Sequence, residues 1–177
     1  GALHPRRIRD GVIDGVADYG NKIGLPTVAG AILYDPAYTT NPLVFAGCIG
    51  TATSRPLHTG PFPGDRIVVL GGATGRDGIR GATFSSLALD DTSPTSAVQI
   101  GDPIIQKRMT DLLMEARGLD LFAGLTDNGA GGLSSSLGEM ALEPGGVRIH
   151  LDKCPLKYTG LAPWEILLSE SQERMSL

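Results

Sequence analysis

A chain that spends Asp-Asn-Gly-Ala-Gly-Gly on one connection, residues 127–132, has few ways to fold around it. The apolar run before it, residues 121–125, reads as a buried strand. Residues 133–142 after it read as a helix that opens on Ser134, Ser135 and Ser136. The glycines permit positive φ and a close backbone approach to a ligand. The serines fall where the free N–H groups of a helix N-terminus favour an anion. Asp127 stands at the strand's carboxyl end, where α/β architectures place ligands. A carboxylate there, beside Asn128 and Gly129, suits a metal-bridged phosphate. The same residues also describe an ordinary glycine-rich connection with an exposed Asp, and the loop alone does not choose between the two.

A second glycine loop follows residues 66–70, which read as a short buried strand, and runs from Gly71 to Gly78. It lacks the Lys-Ser/Thr pair of a phosphate-binding P-loop, and neither loop has dinucleotide-fingerprint spacing. Arg76 offers a bidentate anion contact, and Asp77 a metal or hydroxyl contact. An Arg–Asp pair stapling the turn explains them equally well.

The chain before these loops is sparser. Residues 5–19 carry a stripe of Ile8, Val12 and Val16 at helical spacing, and Gly20 reads as the stop. Arg6, Arg7 and Arg9 sit at the end where the helix dipole disfavours cations, which reads as a solvated face. Residues 27–34 and 43–49 read as two strands of a hairpin. A helix and a hairpin are too little for a core. Residues 1–55 therefore read as the end of a domain whose start is missing, and unpaired strand edges there invite a homodimer. Pro56, Pro61 and Pro63 mark a boundary, and residues 65–177 read as a second, α+β domain with a mixed sheet covered by helices. Within it, residues 83–89 read as a strand or loop and 90–96 as a linker. Asp102 and Pro103 read as N-cap and first turn of a helix to about Arg117, with Ile104, Ile105, Met109, Leu112 and Leu113 buried. Residues 147–151 alternate as a half-buried strand, 163–170 form a short helix, and Met175 and Leu177 begin a strand.

Composition removes several function classes. The net charge is -4 and no basic block exists, which argues against nucleic acid. No apolar run reaches membrane-spanning length. Cys48 and Cys154 form no CxxC pair, which fits a reduced cytoplasmic setting. His150, Asp152 and Cys154 share a period of two, but a metal site would lack a fourth ligand. Gly1 in place of Met fits a tag scar or a piece of a longer protein.

Five stretches then stand in order: YGNKIGLPTV (19–28), TGRDGIRGATF (74–84), AVQIGDP (97–103), DNGAGGLSSSLGEM (127–140) and LSESQERM (168–175). Together they resemble the synthetase subunit or domain of phosphoribosylformylglycinamidine synthase, over nearly the whole of this chain but only part of that enzyme. The resemblance implies the C-terminal domain fold of aminoimidazole ribonucleotide synthetase, preceded by part of the N-terminal domain. It implies a ligase of purine biosynthesis that joins formylglycinamide ribonucleotide to glutamine-derived ammonia. It implies that ATP would phosphorylate the amide oxygen and that ammonia would displace the phosphate through an iminophosphate. It implies Mg2+ and ATP as cofactors, and a glutaminase and a small accessory subunit as partners. By motif match Asp127 would ligate magnesium, while Gln99, Glu170, Ser171 and Gln172 would contact the ribonucleotide. The family's catalytic His lies upstream of Gly1, so the 177-residue chain alone is expected to have no synthetase turnover. The chain departs from the family at Ala29-Gly30-Ala31, where a Gly-Glu is common, and at Arg80, where a His is common. The competing expectation is a non-catalytic nucleotide-binding or dimerisation module of the same superfamily.

Overall fold

Local signals set the helices. The computed structural model describes residues 3–39, 42–51, 60–79 and 99–177. Asp102 caps its helix as its sequence context predicts: the carboxylate accepts from the N–H groups of Ile104 and Ile105 at 3.0 and 3.2 Å. Pro103 supplies the first turn, where its missing donor costs nothing. The chain separates into two compact units, Gly1–Arg55 and Pro56–Leu177.

In the first unit, helix α1 spans Pro5–Ile23. It runs one turn beyond the expected stop at Gly20, because the left-handed cap falls on Gly24 (φ 75°). The next described structure is a 3-10 turn, Pro36–Tyr38. Residues 27–34 and 43–49 are not strands here, which corrects the expected hairpin: neither belongs to a ladder among the described residues. Their apolar side chains are open to solvent, Leu33 at 91% and Ile49 at 96%. A lone hairpin is marginal in water, and nothing described in this unit is buried.

The second unit contains β1 (Val69–Gly71), α2 (Pro103–Gly118), β2 (Thr126–Asp127), α3 (Gly132–Met140), α4 (Pro163–Leu168) and β3 (Arg174–Ser176). Its sheet has the order β1-β3-β2, with both pairings antiparallel. An isolated parallel bridge joins Thr74 to Leu156. Small sheet and covering helices make the α+β domain that the sequence implies. The last strand to be made is thus the central one: Leu70 and Asp127 both lie opposite Met175.

Three further strand expectations are corrected. Residues 66–70 were expected as a buried strand, but β1 is an edge and its Val69 is 43% exposed. The apolar run at 121–125 is not a strand. Leu121 donates to Ala116 O at 3.0 Å and Asp120 to Arg117 O at 3.3 Å, so α2's termination uses the start of that run. Ladder pairing begins only at Thr126. Residues 147–151 join no ladder among the described residues, and their end turns into local bonds. Lys153 donates to His150 O and Cys154 to Leu151 O, which closes the 3-10 turn Leu151–Lys153. The expected element at 83–89 and Arg80 lie outside the described residues.

Among the described residues the apolar core is small: Met109 and Ala116 from α2, Leu133 and Leu137 from α3, and Ile166 from α4. Met109 and Ala116 lie two turns apart on one face, whereas Ile104 and Leu112, expected in that stripe, are exposed. Leu133 and Leu137 are one turn apart, so α3 meets α4 along that row. Beside this core lies a buried polar layer of Thr74, Asn128, Ser136, Ser169, Ser171, Arg174 and Ser176. Most buried polar groups in folded proteins are hydrogen-bonded, and the partners of these residues are what shape the site.

Candidate functional site

The segment 169–173 links α4 to β3 and alternates in burial. Ser169 and Ser171 face inward, and Glu170 and Gln172 are half-buried. Glu170 Oε2 accepts from Gln99 Nε2 at 2.6 Å, and Gln99 Oε1 accepts from Gln172 Nε2 at 2.8 Å. Gln172 Nε2 also donates to Glu170 O at 2.9 Å. The other Glu170 oxygen, Oε1, accepts from the N–H of Gly131 at 3.1 Å. Three residues named from sequence thus form one network, and it closes on the glycine loop.

Ser171 belongs to the interior instead. Its side chain is 1% exposed. Its Oγ accepts from Gly75 N–H at 2.9 Å, lies 3.0 Å from Ser169 Oγ and donates to Asp77 Oδ2. The expectation that it touches a ribonucleotide therefore meets a hydroxyl already used to join two loops.

The second glycine loop is built in the same way. The Arg76–Asp77 staple, one of the two readings the sequence left open, is not made. Arg76 instead makes a bidentate pair with Glu165, Nε–Oε1 at 2.8 Å and Nη2–Oε2 at 3.3 Å, donates to Gly160 O at 2.8 Å and lies over the Tyr158 ring. The hydrogen bond to Glu165 raises the Arg76 pKa, and the reciprocal bond lowers that of Glu165. Asp77 pairs with Lys157 Nζ at 2.8 Å, and its carbonyl accepts from the N–H of Glu170 at 2.8 Å. Both side chains thus hold the loop and the segment behind it. Gly78, with φ 69°, has no room for a side chain: a Cβ there would come within 2.5 Å of Glu170 Oε2 and 2.7 Å of Gln99 Nε2. Sequence reasoning did not single out Gly78 or Lys157. The glycine of Arg-Asp-Gly was the available signal for the first. Lys157 had none, since it lies 80 residues from Asp77.

Desolvation pushes the Asp77 carboxyl up, but the bonds from Lys157 and Ser171 outweigh it and hold its pKa below the ordinary value. A depressed carboxylate adds stability that is present above the unfolded-state pKa, about 3.9, and is lost as pH falls through the folded value. Urea unfolding between pH 7 and pH 2 should therefore show a loss of stability below about pH 4 that is smaller in Asp77→Asn. An equal loss in both proteins would remove Asp77 from the account.

The loop after β2 combines an open and a closed side chain. Asp127 is exposed, and its Oδ1 accepts from Gly129 N–H at 2.8 Å. Asn128 is buried: its Oδ1 accepts from Ser136 Oγ at 2.5 Å and Ser176 Oγ at 2.9 Å, while its Nδ2 is buried without a hydrogen-bond partner among the described residues. Asn128 thereby ties α3 to β3 from inside, and only Asp127 of the pair faces solvent. Gly131 and Gly132 adopt φ of 77° and 56°. A Cβ on Gly132 would come within 2.1 Å of Ser169 O, so the glycine lets the loop lie against the 169–173 segment. The N-terminus of α3 is already met by a carboxylate, that of Glu170 on Gly131, rather than by the serines. Ser134 Oγ donates to Gly131 O at 2.6 Å.

Among the described residues no three His, Cys, Asp or Glu side chains gather as a metal cage, and this holds for His150, Asp152 and Cys154. Asp127 alone still fits magnesium, which usually takes one or two carboxylates and completes its shell with water and phosphate oxygens. No described helix is long and apolar enough to cross a membrane.

Residues 63–177 match the family model described as AIR synthase related protein, C-terminal domain. The chain belongs to this family. Over 180 residues it is 45% identical to phosphoribosylformylglycinamidine synthase subunit PurL of Thermoplasma acidophilum, covering 99% of this chain and 24% of that protein. It is 47% identical over 174 residues to the same subunit of Methanopyrus kandleri, covering 95% and 24%. Among solved structures, Thermotoga maritima PurL complexed with FGAR superposes with a TM-score of 0.78 at 38% identity, over 95% of this chain and 29% of that one. The same protein complexed with ATP gives 0.74 at 37% identity, over 95% and 26%. The resemblance carried by the five motifs is thus borne out. The chain spans about a quarter of the length of the curated relatives it matches.

Proposed function

We propose that this chain is the segment of a phosphoribosylformylglycinamidine synthase that supplies part of the ribonucleotide-binding face. The observation that carries this reading is the Gln99–Glu170–Gln172 network closed on Gly131. It sets two amides and a carboxylate, all half-buried or exposed, at hydrogen-bond distance from one another. Such groups suit the hydroxyls and amide of formylglycinamide ribonucleotide. A related protein complexed with FGAR shares the fold, which supports the same assignment. Held side chains reduce the ordering that binding would otherwise cost.

Asp127 would hold magnesium through its exposed carboxylate. ATP and magnesium, when bound, supply the phosphoryl group and neutralise its charge. The chain's own residues orient the substrate: one Glu170 oxygen fixes the Gln99 amide nitrogen and the other the glycine loop, and Gln172 fixes the Gln99 amide oxygen. Ammonia would come from a glutaminase subunit, as the family's chemistry requires, in the cytoplasm, and a small accessory subunit would complete the enzyme.

Calorimetric titration of the 177-residue chain with formylglycinamide ribonucleotide, with and without magnesium, tests this reading. Uptake should be stronger with magnesium, and the magnesium-dependent part should vanish in Asp127→Asn. An unchanged magnesium response in that variant would remove Asp127 as ligand, and no heat with any nucleotide would remove the reading itself. In that last case the exposed apolar residues Val28, Leu33, Phe45 and Ile49 favour a dimerisation module, visible as concentration-dependent mass in sedimentation.

A further inference from the structure

Arg174 is 4% exposed and pairs with no carboxylate at hydrogen-bond distance among the described residues. Its guanidinium donates to three neutral oxygens: Nε to Ser171 O at 2.8 Å, Nη2 to Ser169 O at 2.5 Å and Nη1 to Thr74 Oγ1 at 2.9 Å. Burying a charge without a directly paired counter-charge is costly, and the desolvation of this group lowers its pKa against the more distant pull of Cys154 and Asp77. An apolar side chain of similar volume would avoid that cost. What it would not reproduce is the fork.

The two carbonyls belong to the peptide planes 169–170 and 171–172. Those planes lead into Glu170 and Gln172. One planar group therefore fixes the orientation of both, while Ser169 and Ser171 turn inward between them. The third donor reaches the glycine loop at Thr74, whose N–H donates to Pro155 O at 2.9 Å and whose carbonyl accepts from Lys157 N at 2.9 Å.

We propose that Arg174 is a positioning residue for the ribonucleotide face: its fork sets Glu170 and Gln172 at the spacing that engages Gln99. This rests on the reading of that face given above. Arg174 touches no substrate in this scheme and acts only through the two peptide planes. Lysine keeps the charge but offers its donors from a single tetrahedral nitrogen, so it cannot hold two carbonyls and a hydroxyl in one plane.

The test uses the complete chain, 15N-labelled, and reads the side-chain amide resonances of Gln99 and Gln172, assigned with Gln99→Met and Gln172→Met. In Arg174→Ala both amides should move to free-glutamine positions, and ribonucleotide affinity should fall by about tenfold or more. Millimolar guanidinium ion should restore both readouts, and ammonium at equal ionic strength should not. Arg174→Lys should resemble the alanine variant. Unmoved amides in Arg174→Ala, or wild-type amides and affinity in Arg174→Lys, would overturn the proposal. If both variants lose the folded backbone spectrum, recovery with guanidinium supports it, and unfolding that guanidinium leaves unchanged overturns it. A wild-type chain that takes up no ribonucleotide would end the ribonucleotide reading, while the amide comparison would still decide what Arg174 positions.

Discussion

Replacing Gly71 with alanine is expected to destabilise the Pro56–Leu177 unit by about 3–5 kcal/mol, enough to unfold most small domains. Gly71 ends β1 with φ 110°, and a Cβ there would lie 1.8 Å from Glu173 O. That obstacle is backbone, so no rotamer change can clear it. It is also committed, because Glu173 O accepts from Gly72 N–H at 3.1 Å. Glu173 itself has φ 51°, so β3 enters the sheet from a tightly specified turn. Gly145→Ala is the matched control. Its φ is 83°, yet nothing lies within 4 Å of the added carbon, and the expected cost is only the left-handed penalty of about 1–2 kcal/mol. Urea unfolding of both variants measures the difference. Equal costs would mean that strand entry is not as closely packed as described.

Removing the Glu170 carboxylate should have the largest effect on ligand binding. Glu170→Ala deletes the acceptor shared by Gln99 Nε2 and Gly131 N–H. Hydrogen bonds to charged groups contribute about 1.5–3 kcal/mol each. If one such contribution reaches the bound complex, ribonucleotide affinity falls roughly 10- to 100-fold. Gln172→Ala removes only neutral bonds, worth about 0.5–1.5 kcal/mol, and should fall less. Calorimetry on the two variants gives the ranking. A larger loss for Gln172→Ala would show that the carboxylate is not the centre of the network.

What could be read from the sequence was local. The Asp102-Pro103 cap, the helix end near Arg117 and the glycine loops before α3 and after β1 all depend on neighbours within a few positions. The motif LSESQERM drew attention to residues 170–172 before any contact was known, though it did not reveal that Ser171 faces inward. The hidden features are long-range. Arg76 meets Glu165 across 89 positions, and Arg174 meets Thr74 across 100. No periodicity encodes such partners. The strand errors have the same origin: residues 27–34, 43–49 and 147–151 have the composition of strands, but a ladder needs a second chain segment at the right place. Where α2's end or a 3-10 turn offered nearer hydrogen bonds, those were made.

The absence of buried side chains among the described residues of Gly1–Arg55 changes how any melting curve should be normalised. Heat uptake on unfolding arises mainly where apolar surface and internal bonds are given up together. Here that is the stretch from Pro56 onward. Dividing a calorimetric enthalpy by the full chain length would make a well-knit domain look loosely folded.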